Sequence, residues 1–430
     1  MLKNLRTLNG RKFHSLINVQ NVGLALVCVY ILTTFIASDV GISSKLKSIA
    51  LVLMLGWALI SVLLSWKRKE FPLSGYTVWY LVFALFSFVG VLYSPNENFM
   101  EGAFYLVMVT FCVTFAITTF VNTKFSFKIF GYVYVVSAVM LVGMLYLKGM
   151  LSGTSTDRLG QDFMGNANTF AWMMMLATMF AMWLLVYESR NDSFKLKFLN
   201  KLYLLVKLAL VGAIFVCLYA LILSGGRKFF VLPFLFLYIL LVLRKDKRGK
   251  THFRLYTIVA IVFIAVAYVL IMNVEVFYNA IGVRIEKFIS GLLEGGDTGA
   301  SAEIRKQMRE YAFEMWAGSP IFGYGFDSFK YYNVSLSGHF YYSHCNYTEL
   351  LFSGGIILFV VYYGFIIYIL KKAFCAKNID CKYRAFSIAT IICTLLFDFL
   401  GISLNVTIMH TFIALAYGVL KFNEKQPLIQ

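Results

Sequence analysis

The sequence predicts an all-α polytopic membrane protein with about twelve transmembrane helices. Hydrophobic residues fill 60% of the 430 positions and charged residues only 14%, with a mean hydropathy of +0.76. A water-soluble chain of this length cannot cover so much apolar surface. Apolar runs close to the roughly 20 residues that cross a bilayer as a helix recur along the whole length. They are continuously apolar rather than alternating, which excludes a transmembrane β-barrel.

The first run, 16–36, follows four basic residues and is too long for the apolar core of a cleaved signal, so it reads as a membrane helix. Runs at 45–66, 74–93, 101–121 and 128–150 follow at hairpin spacing, then 169–189 and 201–223. The eighth, 229–243, is short. After 253–272 the pattern stops for a long polar stretch and resumes at 347–370, 385–400 and 403–420, the last two closely spaced. Merging any of these short spans would leave eleven. No repeat or low-complexity tract appears, and 1–430 reads as a single membrane domain.

Net charge is +18, from 39 Lys and Arg against 21 Asp and Glu. With both termini placed in the cytoplasm, the cations crowd into the inner loops (Lys67 to Lys69, Arg190 to Lys207, Arg244 to Arg254, Lys371 to Arg384), and most acids fall outside. This is the positive-inside pattern, and it sets the expected orientation. The excess charge is thus topological and implies no nucleic-acid partner. The seven cysteines sit mostly within spans and imply neither a disulfide framework nor a metal cluster.

The polar stretch is the large outer loop, 273–346, between the ninth and tenth spans. Within it, 303–318 reads as an amphipathic surface helix. Ile304, Met308, Tyr311, Ala312, Met315 and Trp316 form one apolar stripe. Arg305 and Arg309, four apart, share its edge, and such a helix would lie in the headgroup plane with its arginines at phosphate level. Gly318-Ser319-Pro320 ends it, and an aromatic run returns the chain to His344.

Three outer features carry chemistry. Ser224-Gly225-Gly226-Arg227-Lys228 is a turn where glycines admit a ligand to the backbone, a helix begins, and Arg227 supplies a fork of donors: a diphosphate site. A tight turn with snorkelling cations explains the same residues about as well on its own. Arg305 and Arg309 suit a second phosphate, or a face drawn to anionic lipid. Ser343-His344-Cys345-Asn346 follows; His344 is placed to take a proton from a hydroxyl, with Glu349 to orient it or replace it as base. A lone histidine is more often structural. His339 is the competitor, and His410, mid-span, reads as a packing or interhelical hydrogen-bond residue. A weaker cluster, Asp157, Arg158 and Asp162 before Gly165 to Asn168, offers sugar-binding side chains, and Asp398 is a further partner for an arginine. Walker, dinucleotide and HExxH motifs are absent, as is a DxD pair, so no cofactor or metal is expected.

At these residues the chain resembles the O-antigen ligase/polymerase family, which includes the Wzy-type polysaccharide polymerases. The matching segments are Arg158 to Asn168 with "GNANT", "SGGRKFF" at Ser224–Phe230, "R…A.EMW…SPIFGYG" at Arg305–Gly325, and "YSHCNYTELLFSGGI" at Tyr342–Ile356. The resemblance covers roughly residues 150–370. It implies a GT-C-like membrane fold in a bacterial inner membrane and glycan transfer at the outer leaflet from an undecaprenyl-diphosphate-linked oligosaccharide to an acceptor hydroxyl, without nucleotide or metal. It further implies a flippase and a chain-length regulator of the same pathway as partners. Arg227 and Arg305 would hold the donor diphosphate and His344 would be the base. Gly225, Gly226, Arg309, Arg158, Asn168 and Glu349 would complete the substrate site. Cys345 departs from the asparagine that often follows this histidine. The lysine after "SGGR" is closer to capsule or exopolysaccharide polymerases than to ligases. A polymerase is therefore expected, with a ligase as the alternative transferase. A flippase is the alternative outside enzymes, although it should show repeats and broken mid-membrane spans.

Overall fold

The computed structural model of the chain describes residues 2–36, 42–67, 73–97, 102–151, 158–161, 166–187, 203–244, 251–283, 285–286, 290, 300–376 and 378–422. The chain is an all-helical polytopic membrane protein, and each of the twelve expected spans is a helix. In order they are α1 (Leu2–Ile36), α2 (Ile42–Lys67), α3 (Gly75–Val91), α4 (Ala103–Phe120), α5 (Lys124–Leu147), α6 (Ala167–Tyr187), α7 (Tyr203–Leu223), α8 (Arg227–Leu243) and α9 (Phe253–Asn273). After α10 (Ala300–Trp316) and α11 (Phe329–Ser337) come α12 (Asn346–Cys375), α13 (Cys381–Leu400) and α14 (Thr407–Gly418). Among the described residues, nine are long and apolar enough to cross a membrane by themselves; α3, α8 and α14 are shorter apolar helices. Local chemistry sets several starts. The Ser74 hydroxyl accepts the Thr77 amide, Thr123 and Ser126 form a reciprocal capping box, and the Asp380 side chain accepts the Lys382 amide.

α6 lies at the centre of the bundle. Every residue from Phe170 to Leu184 is buried, a helix apolar all round and covered by α5, α7 and α8. α9 is the opposite case, with its apolar side chains almost all exposed. Exposed apolar surface on that scale is stable only against lipid.

Two departures from simple spans shape one end of the bundle. α12 is not continuous: Gly354 and Gly355 have non-helical backbone, with Gly355 at φ 60°. The groups freed there bond to the incoming loop. Tyr324 and Gly325 amides donate to the Phe352 and Ser353 carbonyls at 2.8 and 3.1 Å, and the Ile356 amide donates to the Pro320 carbonyl at 2.9 Å. A broken helix within a membrane protein is tolerated where other protein groups resatisfy its backbone. The fit needs glycine on both sides: a Cβ on Gly355 would collide with the Ile321 carbonyl, and one on Gly323 with the Phe352 carbonyl.

The second departure concerns α10. Met308 and Ala312 of its stripe are fully buried against Phe329 of α11 and Phe352 of α12, with Ile304, Tyr311 and Met315 alongside. The stripe expected to face lipid headgroups therefore packs on protein, because the α12 break brings Phe352 within reach. What remains open on α10 is its charged side.

Between α13 and α14 the chain leaves the helix at Gly401, turns at Leu404 and Asn405, where the Val406 amide donates to the Ser403 carbonyl at 2.9 Å, and is tied to the start of α12. The Asn346 amide donates to the Gly401 carbonyl at 3.0 Å, and its side-chain oxygen accepts the Ser403 and Leu404 amides at 3.0 and 2.9 Å. Its side-chain nitrogen reaches the Tyr363 hydroxyl at 2.9 Å. Ser403 and Tyr363 donate to the buried Asp398 carboxylate. His410 joins the same region, its ring between the Tyr76 hydroxyl at 3.0 Å and the Leu404 carbonyl at 3.1 Å, an interhelical link.

Candidate active site

The α7–α8 turn is the floor of the site. Gly225 sits at φ 67°, open to glycine at little cost, and Ser224 closes the turn through its hydroxyl to the Leu221 carbonyl at 2.6 Å. The preceding loop is laid across it: the Leu159 amide donates to the Leu223 carbonyl at 3.1 Å, and Arg158 Nε to the Ser224 carbonyl at 2.8 Å. Arg158 also reaches Asn168 Oδ1 at 3.3 Å. Arg158 and Leu159, Asn168 and the Leu221–Gly225 turn thus meet at one place. Asp157, Asp162 and Gly165 lie outside the described residues, as do residues 284, 287–289 and 291–299 of the long loop and the basic stretches 68–69, 190–201 and 245–250. α8 begins at Arg227, directly after Gly226, with the leading N–H groups that any helix start leaves without intrahelical partners. The Arg227 side chain is not among the described ones.

Lys228 is the residue that sequence reasoning passed over as a snorkelling cation. Its ammonium turns inward, donating to the Leu400 carbonyl at 3.0 Å and lying 4.4 Å from the Phe397 ring centre and 5.2 Å from that of Phe229. A Cβ on Gly401 would collide with it. The lysine therefore joins the turn to the α13 end, whose next carbonyl holds Asn346. Its place directly after Arg227, beside two apolar aromatics, was the available signal.

His344 stands between these parts. Its backbone is at φ 58°, a left-handed conformation uncommon for a residue with a side chain. Neighbours on both sides fix it. The Ser343 amide donates to Glu349 Oε2 at 3.0 Å, the Ser343 hydroxyl bonds the Cys345 carbonyl at 3.0 Å, and Asn346 is clamped as described. Burial, followed by the positive charges of Arg305, Lys228 and Arg309, pushes the imidazole down to about 4. At neutral pH the ring is uncharged and has a free nitrogen lone pair. His339, the competing histidine, is exposed and stacks on Tyr341.

Glu349 is fully buried, and its carboxylate holds the Ser343 backbone. It lines, with Asp327 and Tyr342, a cavity of about 10 Å³, room for one water. Asp327 anchors the loop, accepting from Asn96 at 2.9 Å, the Ala103 amide at 3.2 Å and Lys330 at 2.9 Å. Arg305 is on the exposed side of α10, and Arg309 lies over the Phe399 ring at 5.7 Å. The structure thus brings Arg158, Asn168, Gly225, Gly226, Arg305, Arg309 and His344 to one end of the bundle, with Lys228 in their midst. Among the described residues, no group of three or more His, Cys, Asp and Glu could hold a metal ion.

No curated protein matches the chain. Residues 212–363, from mid-α7 through the α8 turn, α10, His344 and the α12 break, match a family described as O-Antigen ligase. The match implies glycan transfer of the O-antigen ligase/polymerase type. Over those residues the chain carries a domain of the O-antigen ligase/polymerase family.

Proposed function

We propose that the protein is a polysaccharide polymerase of a bacterial inner membrane. In this reading it transfers a glycan from an undecaprenyl-diphosphate-linked donor to a hydroxyl of a lipid-linked repeat unit at the outer leaflet. The observation that carries the reading is an uncharged histidine ringed by cations, beside a glycine turn that opens a helix. Anions bind at such turns, and arginines grip phosphate as forks. Arg305 and Arg309 supply permanent positive charge there, with Lys228 beside them, and Arg227 starts the helix.

The chemistry follows from these parts. His344 takes the proton of the acceptor hydroxyl as its oxygen bonds to the anomeric carbon of the donor sugar. The bond from that carbon to the phosphate oxygen breaks, and undecaprenyl diphosphate leaves with the electron pair. Cations already in place meet the charge that grows on the leaving oxygen, so little reorganisation is needed. The proton then passes from His344 to water. Donor arrival also tunes the base: a diphosphate offsets the charges of Arg305, Lys228 and Arg309, which raises the proton affinity of His344 from its donor-free value toward neutrality.

The ligase reading has the family description behind it and differs only in the acceptor. Glycan from cells lacking the protein separates the two. Single repeat units without polymer are the expected result. Full-length polymer stranded on its lipid carrier would make the protein a ligase. Repeat units trapped on the inner leaflet would overturn transfer in favour of a flippase.

A further inference from the structure

A second concavity adjoins His344. It has a volume of about 590 Å³, within the range of small-ligand sites. One wall is the open side of α10, with Lys306, Glu310, Phe313 and Glu314 on a single helical stripe. The opposite wall is the α13 end at Phe399 and the α12 start at Tyr347. Its inner end is Cys345, next in sequence to His344, and Arg309 borders both spaces.

We propose that this groove holds the acceptor saccharide, as the counterpart of the cationic donor site; the inference rests on the transferase reading above. Its charge suits a neutral, hydroxyl-rich ligand. Lys306 and Arg309 are balanced by Glu310 and Glu314. Neither carboxylate is engaged in a hydrogen bond or ion pair among the described residues, so both are open acceptors for sugar hydroxyls. Phe313 and Phe399 are more than half exposed, and each offers a flat apolar face for a sugar ring. A diphosphate would be repelled by the two carboxylates. A polyprenyl tail would have to cover four charged side chains, which costs free energy that lipid contact does not return. The groove is lined at one end by Cys345, the residue after His344, so an acceptor lying in it has its hydroxyls near the base. Donor and acceptor thus approach the base from two sides, the first over α8 and the second along α10.

The test uses the full-length protein in lipid nanodiscs. The probe is a fluorescently tagged repeat-unit oligosaccharide, released from the host's own lipid carrier, and its binding is followed by anisotropy. Undecaprenyl diphosphate binding is measured in parallel. Glu310→Gln combined with Glu314→Gln, and separately Phe313→Ala, should weaken oligosaccharide binding roughly fivefold or more, the size of one or two lost hydrogen bonds. Undecaprenyl diphosphate affinity should stay unchanged. Glu303→Gln, on the same helix but outside the groove, should alter neither. Because all these side chains are exposed, the variants should elute like the parent on size exclusion. Unchanged oligosaccharide binding in both groove variants, or no binding by the parent, overturns the proposal. Weakened undecaprenyl diphosphate binding would instead make the groove a lipid-tail site. Groove-dependent oligosaccharide binding in a protein that forms no polymer would leave the groove standing and remove the polymerase reading.

Discussion

Lowering the pH titrates His344, the base of the proposed chemistry. Burial and three neighbouring cations bring His344 from its ordinary 6.5 to about 4. At about 1.4 kcal/mol per pH unit, the donor-free site disfavours the imidazolium by roughly 3 kcal/mol. The sign follows directly. A base must be neutral, so activity is retained above the folded value and lost as pH falls through it. kcat/KM for the donor reports the free enzyme, so its acid limb should have its midpoint near 4. kcat reports the donor-bound enzyme, where the diphosphate offsets the cations, so its acid limb should lie at higher pH. The assay is polymer formation from purified lipid-linked repeat units in nanodiscs between about pH 3.5 and 8. His344→Gln should abolish the reaction across that range. A kcat/KM limb at or above 6.5, or an unchanged profile in His344→Gln, would refute the assignment.

Lys228→Met keeps the stem between Phe229 and Phe397 but removes the ammonium from the Leu400 carbonyl. Donor KM should rise at least tenfold and the acid limb should move to higher pH, whereas loss of a purely structural strut would lower protein yield without moving the limb. Gly355→Ala forces a side chain into the left-handed region and against the Ile321 carbonyl, so thermal unfolding should show a loss of about 1–3 kcal/mol or more. Gly364→Ala in the same helix meets nothing within 4 Å and should leave the melting temperature unchanged or slightly higher. Asn346→Ala deletes one acceptor and one donor group that together serve Ser403, Leu404, Tyr363 and Asp398. It should cost several kcal/mol of stability, and transfer by the folded fraction should fall with unchanged donor KM, because the clamp sits beside His344 rather than on the donor.

The spans were legible because each is a long uninterrupted apolar run, and a membrane permits little else. Their lengths were less so: α3 proved shorter than its run and α13 longer. The apolar stripe of α10 was equally plain in its spacing, but its partner was not. Phe352 belongs to a span that reads as continuous, and glycine is tolerated inside membrane helices, so Gly354-Gly355 gave no sign of a break. Only the paired requirement for glycine at 323 and 355 shows why "FGYG" and "SGG" belong together. The arginines stood out because cations crowd to the opposite face, and His344 because it sits where the polar loop re-enters a span. Lys228 and Asn346 did not, since their partners are backbone carbonyls and amides of Leu400 to Leu404, which no side-chain pattern records. Glu349 was legible as a buried acid beside His344, whereas its bond to the Ser343 amide depends on the fold of that turn.

The most direct measurement is reconstitution. Purified protein in nanodiscs is given only the host's lipid-linked repeat unit, and products are resolved by gel and by mass spectrometry of the lipid. The account predicts a ladder of polymer on the lipid carrier, with one undecaprenyl diphosphate released per bond formed and none of either in the His344→Gln variant. Intact repeat units after prolonged incubation, or release of undecaprenyl diphosphate without any glycan–glycan bond, would contradict it.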